Sequence, residues 1–200
     1  MHPWRERLSR WLAPMARRCP VSPNAISIIA LLLNLTAAGL LYSRWFLVAI
    51  VFIAIGGTCD AFDGIVAREQ QRATRFGDFL DHVLDRVSDS ALAAGWMIGS
   101  GVGQDLTILA VIGIMLNGYI GTQIEASYGQ RNYDSVGRGE FVLALIVFPI
   151  VSFILLSNGW SEQRYAALTI ADWMTVLLIL FALLGIVQRM ALASRLERSR

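Results

Sequence analysis

Six apolar stretches rule out a soluble fold for this chain. They run from about Ala25 to Tyr42, Phe46 to Ala67, Phe76 to Ser100, Leu106 to Ala126, Phe141 to Ser157 and Ala166 to Val187. Each is close to the roughly 20 residues that cross a bilayer as a helix. Composition agrees: 56% hydrophobic and 16% charged residues are too apolar a mixture for a soluble domain of 200 residues. The reading is an all-α integral membrane protein, six transmembrane helices preceded by an N-terminal interfacial amphipathic helix.

Residues 1–22 form that first segment. Trp4, Leu8, Trp11, Leu12 and Met15 recur at helical spacing, while Arg5, Arg7, Arg10, Arg17 and Arg18 fall mostly elsewhere. Such a helix lies in the headgroup layer. Pro20, Ser22 and Pro23 end it, and Asn24 is placed to cap the next helix. The six-span domain covers residues 23–190, and residues 191–200 make a basic tail. Arginine placement sets the orientation. With the N-terminus cytoplasmic, the same side gathers the arginines of the N-terminal arm, Arg68, Arg72, Arg75, Arg131, Arg138 and, at the C-terminal end, Arg189, Arg195, Arg198 and Arg200. Only Arg44 and Arg164 fall on the far side, the pattern of the positive-inside rule for a cell (inner) membrane protein with both termini cytoplasmic. The N-terminus lacks the pattern of a cleaved signal peptide. A net charge of +2 gives no case for nucleic acid, and Cys19 and Cys59 have no CxxC spacing and suggest no disulfide framework.

Acids inside the apolar spans are the anomaly. Asp60 and Asp63 stand three apart, about 60° round a helix, and Asp81 and Asp85 four apart, about 40°. The short polar link from Glu69 to Arg75 lets the two helices run antiparallel, so four carboxylates can converge. Asp60 lies eight residues before Arg68 and Asp85 ten after Arg75, about 12 and 15 Å down their helices. Bare anions do not stay together at that depth: either some are protonated or divalent cations lie between them. Oxygen ligands favour a hard ion, Mg²⁺ or Mn²⁺. The site then opens to the cytoplasm with walls touching lipid.

The full pattern is Asp60-x2-Asp63-Gly64-x2-Ala67-Arg68-x8-Gly77-x3-Asp81-x3-Asp85. It resembles the signature of the CDP-alcohol phosphatidyltransferase family at every fixed position. Ser22-Pro23-Asn24-Ala25-Ile26-Ser27 resembles the Pro-Asn element that opens the first membrane helix there. The resemblance implies a six-helix membrane enzyme, usually a homodimer, that transfers a phosphatidyl-type group from a CDP-linked lipid to a small alcohol and releases CMP. It implies two divalent cations, with Asp60, Asp63 and Asp81 as metal ligands and Asp85 both touching the second metal and acting as catalytic base. CDP would be held by Asp60, Gly64, Ala67, Arg68, Gly77 and Asp78. Gly64, Ala67 and Gly77 would leave room for the base and ribose, and Arg68 would pair with the diphosphate. Asp78 could hydrogen-bond the nucleotide or simply be a solvated acid at a helix start.

Other residues stay open. Arg131 and Arg138 could clamp an anionic acceptor such as inositol phosphate or glycerol phosphate, or only obey the positive-inside rule. Gln123 and Glu125 stand where inositol-phosphate-using relatives carry arginines. Gly95, Gly99 and Gly103 form overlapping GxxxG patterns that suit either close helix packing or a dimer seam. His82 reads as packing, and Asp89 as a partner for Arg86. Two rivals are a membrane prenyltransferase, whose Asp-rich motifs normally sit on well-separated helices, and a cation transporter, which predicts polar outer halves that are missing here.

Overall fold

The computed structural model describes residues 3–129 and 138–198. These form seven helices and one hairpin. In chain order they are α1 (Pro3–Arg18), α2 (Pro23–Tyr42), α3 (Phe46–Glu69), α4 (Arg75–Gly99), α5 (Gln104–Tyr128), α6 (Arg138–Ser157), β1 (Arg164–Tyr165), β2 (Leu168–Thr169) and α7 (Ile170–Arg198). Five of them, α2, α3, α5, α6 and α7, are long and apolar enough to cross a membrane. The third expected span, α4, has 25 residues but carries Asp78, Asp81, Asp85, Arg86 and Asp89, which take it out of that apolar group.

Several boundaries differ from expectation for local reasons. Ser22, not Asn24, caps α2, its hydroxyl accepting from the Ala25 N–H at 3.3 Å. Pro23 then occupies the first turn, where a missing N–H costs nothing. The last span begins at Ile170 and not at Ala166. Ala166 and Ala167 have φ of 51° and 69° and form the turn of the β1–β2 hairpin. Thr169 ends that hairpin and starts α7, exchanging hydrogen bonds with Asp172: the Thr169 N–H and hydroxyl donate to Oδ2 at 2.9 Å, and the Asp172 N–H donates back at 3.1 Å. At its other end α7 continues unbroken to Arg198, through the stretch expected to be a tail.

α2 is the centre of the packing and lies against both α3 and α4. The approach to α4 is close because two glycines allow it. A Cβ on Gly95 would lie 2.4 Å from the Ala38 carbonyl oxygen, and one on Gly99 2.0 Å from that of Leu41. The GxxxG pair therefore serves a contact within the chain. The far end is then filled by Leu41, Phe46, Trp96, Met97 and Phe148, with the Trp96 indole N–H donating to Ser152 Oγ at 3.0 Å. A smaller cluster, Ala16, Ile26, Ile65 and Val66, closes the opposite end and docks α1 on α3. There Gln70 donates to the carbonyls of Ala16 and Cys19 at 2.8 Å each, and Arg17 pairs with Glu69 at 2.7 Å. Trp11 and Met15 stay exposed on the other side of α1.

The glycine contacts give a graded stability test. Gly99→Ala must drive two backbones apart and is expected to cost about 1–3 kcal/mol. Gly56→Ala meets the Asn34 amide at 2.4 Å, a side chain that can turn away. Melting temperatures in one detergent should fall clearly for Gly99→Ala and little for Gly56→Ala. The reverse order contradicts the packing.

Candidate active site

α3 and α4 deliver the acids as their spacing requires. Carboxylate oxygens of Asp60, Asp63 and Asp81 lie within 4.8 Å of one another. Asp63 is buried, and Asp60 and Asp81 are half-buried. The Ser27 hydroxyl of α2 donates to Asp63 Oδ2 and lies 3.2 Å from the Pro23 carbonyl. This hydroxyl fixes the direction of Asp63 from outside the acid-bearing helices. Asp85, one turn beyond Asp81, is only 6% exposed and does not belong to the group of three. Three oxygen donors at this separation fit a hard divalent cation, and the Ser27 hydroxyl orients one of the three carboxylates.

The nucleotide candidates separate into two kinds. A Cβ on Gly64 would meet only Arg68 Nη1, at 3.4 Å, and otherwise open space. Arg68 is exposed and folds back over Gly64, and Ala67 is half-buried beside them. Gly77 is different: its Cβ would lie 3.2 Å from both Asn24 Oδ1 and Thr74 Oγ1. Its missing side chain admits the start of α2. Thr74 caps α4 by accepting from the Gly77 N–H at 3.0 Å. Asp78 is exposed, with His82 Nε2 4.0 Å away across one turn.

Of the two acceptor candidates, Arg131 lies outside the described residues and Arg138 is described only as the first residue of α6. A different arginine lies on the stretch of α5 that also receives Arg86. Arg189 of α7 lies against α5, donating to the Asn117 carbonyl and to Asn117 Oδ1 at 2.8 Å, with Nη1 3.0 Å from a Cβ position on Gly121. In the sequence it reads as one more tail arginine. The signal that could have found it is a glycine pair, Gly118 and Gly121, on a neighbouring span. Ser27 closes the Pro-Asn element of the sequence, but nothing there points its hydroxyl at Asp63.

The sequence profile of one family, described as CDP-alcohol phosphatidyltransferase, matches residues 20–187. The chain belongs to that family. This CDP-alcohol phosphatidyltransferase is therefore a membrane-type transferase of phospholipid biosynthesis, and the prenyltransferase and transporter readings fall. It is similar to an archaetidylinositol phosphate synthase of Pyrococcus horikoshii, 32% identical over 150 residues covering 74% of this chain and 78% of that one. It is also similar to a phosphatidylinositol phosphate synthase of Mycolicibacterium smegmatis, 31% identical over 151 residues covering 70% and 67%. Its fold matches the crystal structure of Mycobacterium tuberculosis phosphatidylinositol phosphate synthase with CDP-DAG bound. That match has a TM-score of 0.71 and 22% identity over 92% of this chain and 94% of that one. The same mycobacterial protein in complex with manganese and citrate matches with a TM-score of 0.69 and 22% identity, over 94% and 87%.

Proposed function

We propose that this enzyme transfers a phosphatidyl-type group from CDP-diacylglycerol or CDP-archaeol to the hydroxyl of a phosphorylated polyol such as inositol phosphate or glycerol phosphate. One observation carries the reading: the three carboxylates of Asp60, Asp63 and Asp81 within 4.8 Å, with buried Asp85 one turn deeper. Relatives named as inositol phosphate lipid synthases support the phosphorylated acceptor. Arg189, fixed on Asn117 of α5, adds a cation between α5 and α7.

Asp60, Asp63 and Asp81 would hold divalent cations of the Mg²⁺ or Mn²⁺ class. When bound, such cations neutralise the diphosphate and stabilise the departing CMP. The rest falls to the chain. Gly64 and Ala67 leave space for the nucleotide, Arg68 pairs with its phosphates, and Asp60 and Asp78 face it from either helix. Asp85 takes the proton of the acceptor hydroxyl as its oxygen bonds to the lipid-side phosphorus. The anhydride bond to CMP breaks in the same displacement, so the proton ends on Asp85 and the electron pair on CMP. With α4 as a sixth span, α1 rests in the headgroup layer and the site faces the cytoplasm. The working form is a homodimer.

The test is CMP release from each CDP-lipid, offered with inositol phosphate, glycerol phosphate, free inositol and serine, with Mn²⁺ or with chelator. The expected result is metal-dependent release with a phosphorylated polyol and background with the neutral alcohol. Release that ignores chelator, or none with any acceptor, overturns the reading.

A further inference from the structure

Arg86 is the one cation on α4 beyond its first turn, and it points away from the acids. It follows Asp85 in sequence, so the two side chains leave the helix about 100° apart. Its Nη2 lies 3.3 Å from Asp89 Oδ2, and that carboxylate is 8% exposed. The guanidinium occupies a notch in α5: a Cβ on Gly118 would fall 1.8 Å from Nη1, 2.7 Å from Cζ and 2.8 Å from Cδ. No side chain other than glycine leaves that space. Its Nε is buried with no hydrogen-bond partner among the described residues, so the arginine has accepted a cost to sit there. Residues of this kind inside a membrane span are rare and tied to function. One residue before the notch, Asn117 takes the hydrogen bonds of Arg189 from α7. Arg86 thus joins α4 to the α5–α7 wall at the level of the acids.

We infer that Arg86 is a positioning residue for the transfer: seated in the Gly118 notch and held by Asp89, it fixes the rotation of α4 about its axis and so the direction in which Asp85 faces the three carboxylates. A rotation of α4 by 20° would move a carboxylate at side-chain radius by roughly 2 Å. Misplacement of about 1 Å already costs on the order of 10²-fold in rate. This inference rests on the transfer reading, because it needs Asp85 to be the base.

The test is a mutant cycle read in kcat and KM for the CDP-lipid. Arg86→Ala combined with Asp89→Ala empties the notch without leaving a buried acid unpaired. Gly118→Ala fills it while every polar partner stays. Each is expected to lower kcat by about 10- to 100-fold with KM changed by less than about 3-fold. Once Arg86 is gone, Gly118→Ala should lower kcat by less than about 2-fold further. Arg86→Lys, which keeps the charge and can reach Asp89, should recover part of the loss. Equal losses from Gly118→Ala in both backgrounds, or native kcat in either single arm, overturn the inference. So does a rise in KM at unchanged kcat. A silent wild-type chain sinks the transfer reading itself, whereas a working wild type with additive losses sinks only the role of Arg86. Melting temperature, followed through the same cycle, separates lost positioning from lost folding.

Discussion

Asp85→Asn is expected to lower CMP release by about 10²–10⁴-fold, the usual contribution of a positioned general base. Asn has the same shape, and the site is buried, so the helix should pack unchanged. The amide cannot take the acceptor proton. Because Asp85 lies outside the group of three carboxylates, Mn²⁺ and CDP-lipid binding should stay within a few-fold of wild type. Turnover measured under saturating lipid, beside Mn²⁺ titration by electron paramagnetic resonance, separates the two effects. Turnover within 10-fold of wild type would show that another group takes the proton. Loss of Mn²⁺ binding together with turnover would make Asp85 a ligand first.

Asp81→Asn should behave in the opposite way. It removes one of three converging oxygens that carry charge, so Mn²⁺ binding should be lost with turnover. The expected fall in CMP release is about 10³-fold or more, since metal ions supply several kcal/mol of charge stabilisation to such displacements. Asp60→Asn should match it. Ser27→Ala gives the contrast, because it keeps all three acids and removes only the hydroxyl that orients Asp63. Outer partners of this type are worth about 10- to 100-fold in metal affinity. Raising Mn²⁺ should therefore restore Ser27→Ala and leave Asp81→Asn inactive. Restoration of both by excess metal would mean that the three acids do not act as one site.

The acids were legible because two facts met in one stretch. Charges inside apolar runs are costly, and the spacings three and four put them on common helix faces. The same logic recovered the cores of the long helices, five of them apolar enough to cross a membrane, whose ends then moved by a few residues where a cap or turn decided them. Ser22 took the capping position because Pro23 follows it, and the Ala166–Ala167 turn delayed α7 to Ile170. What periodicity does not contain is which helix meets which face. Gly95 and Gly99 announced a close approach without naming α2 as the partner. Gly77 backs onto Asn24, fifty-three positions earlier in the chain, a contact that no local spacing announces. Arg189 looked like a counter in a charge tally until α5 was seen to receive it. Each of these belongs to the pairing of elements far apart in sequence, where a single chain read from end to end has no signal.

The contact of Gly95 and Gly99 with α2 has a mechanical consequence. Asp81 lies eighteen residues from Gly99, about 27 Å along the same rod. A small tilt about that pivot is carried to the acid end by the length of the lever arm. The gap between Asp81 and the acids of α3 is thus sensitive to the packing at the far end of α4. One methyl group added there can retune a reaction it never touches.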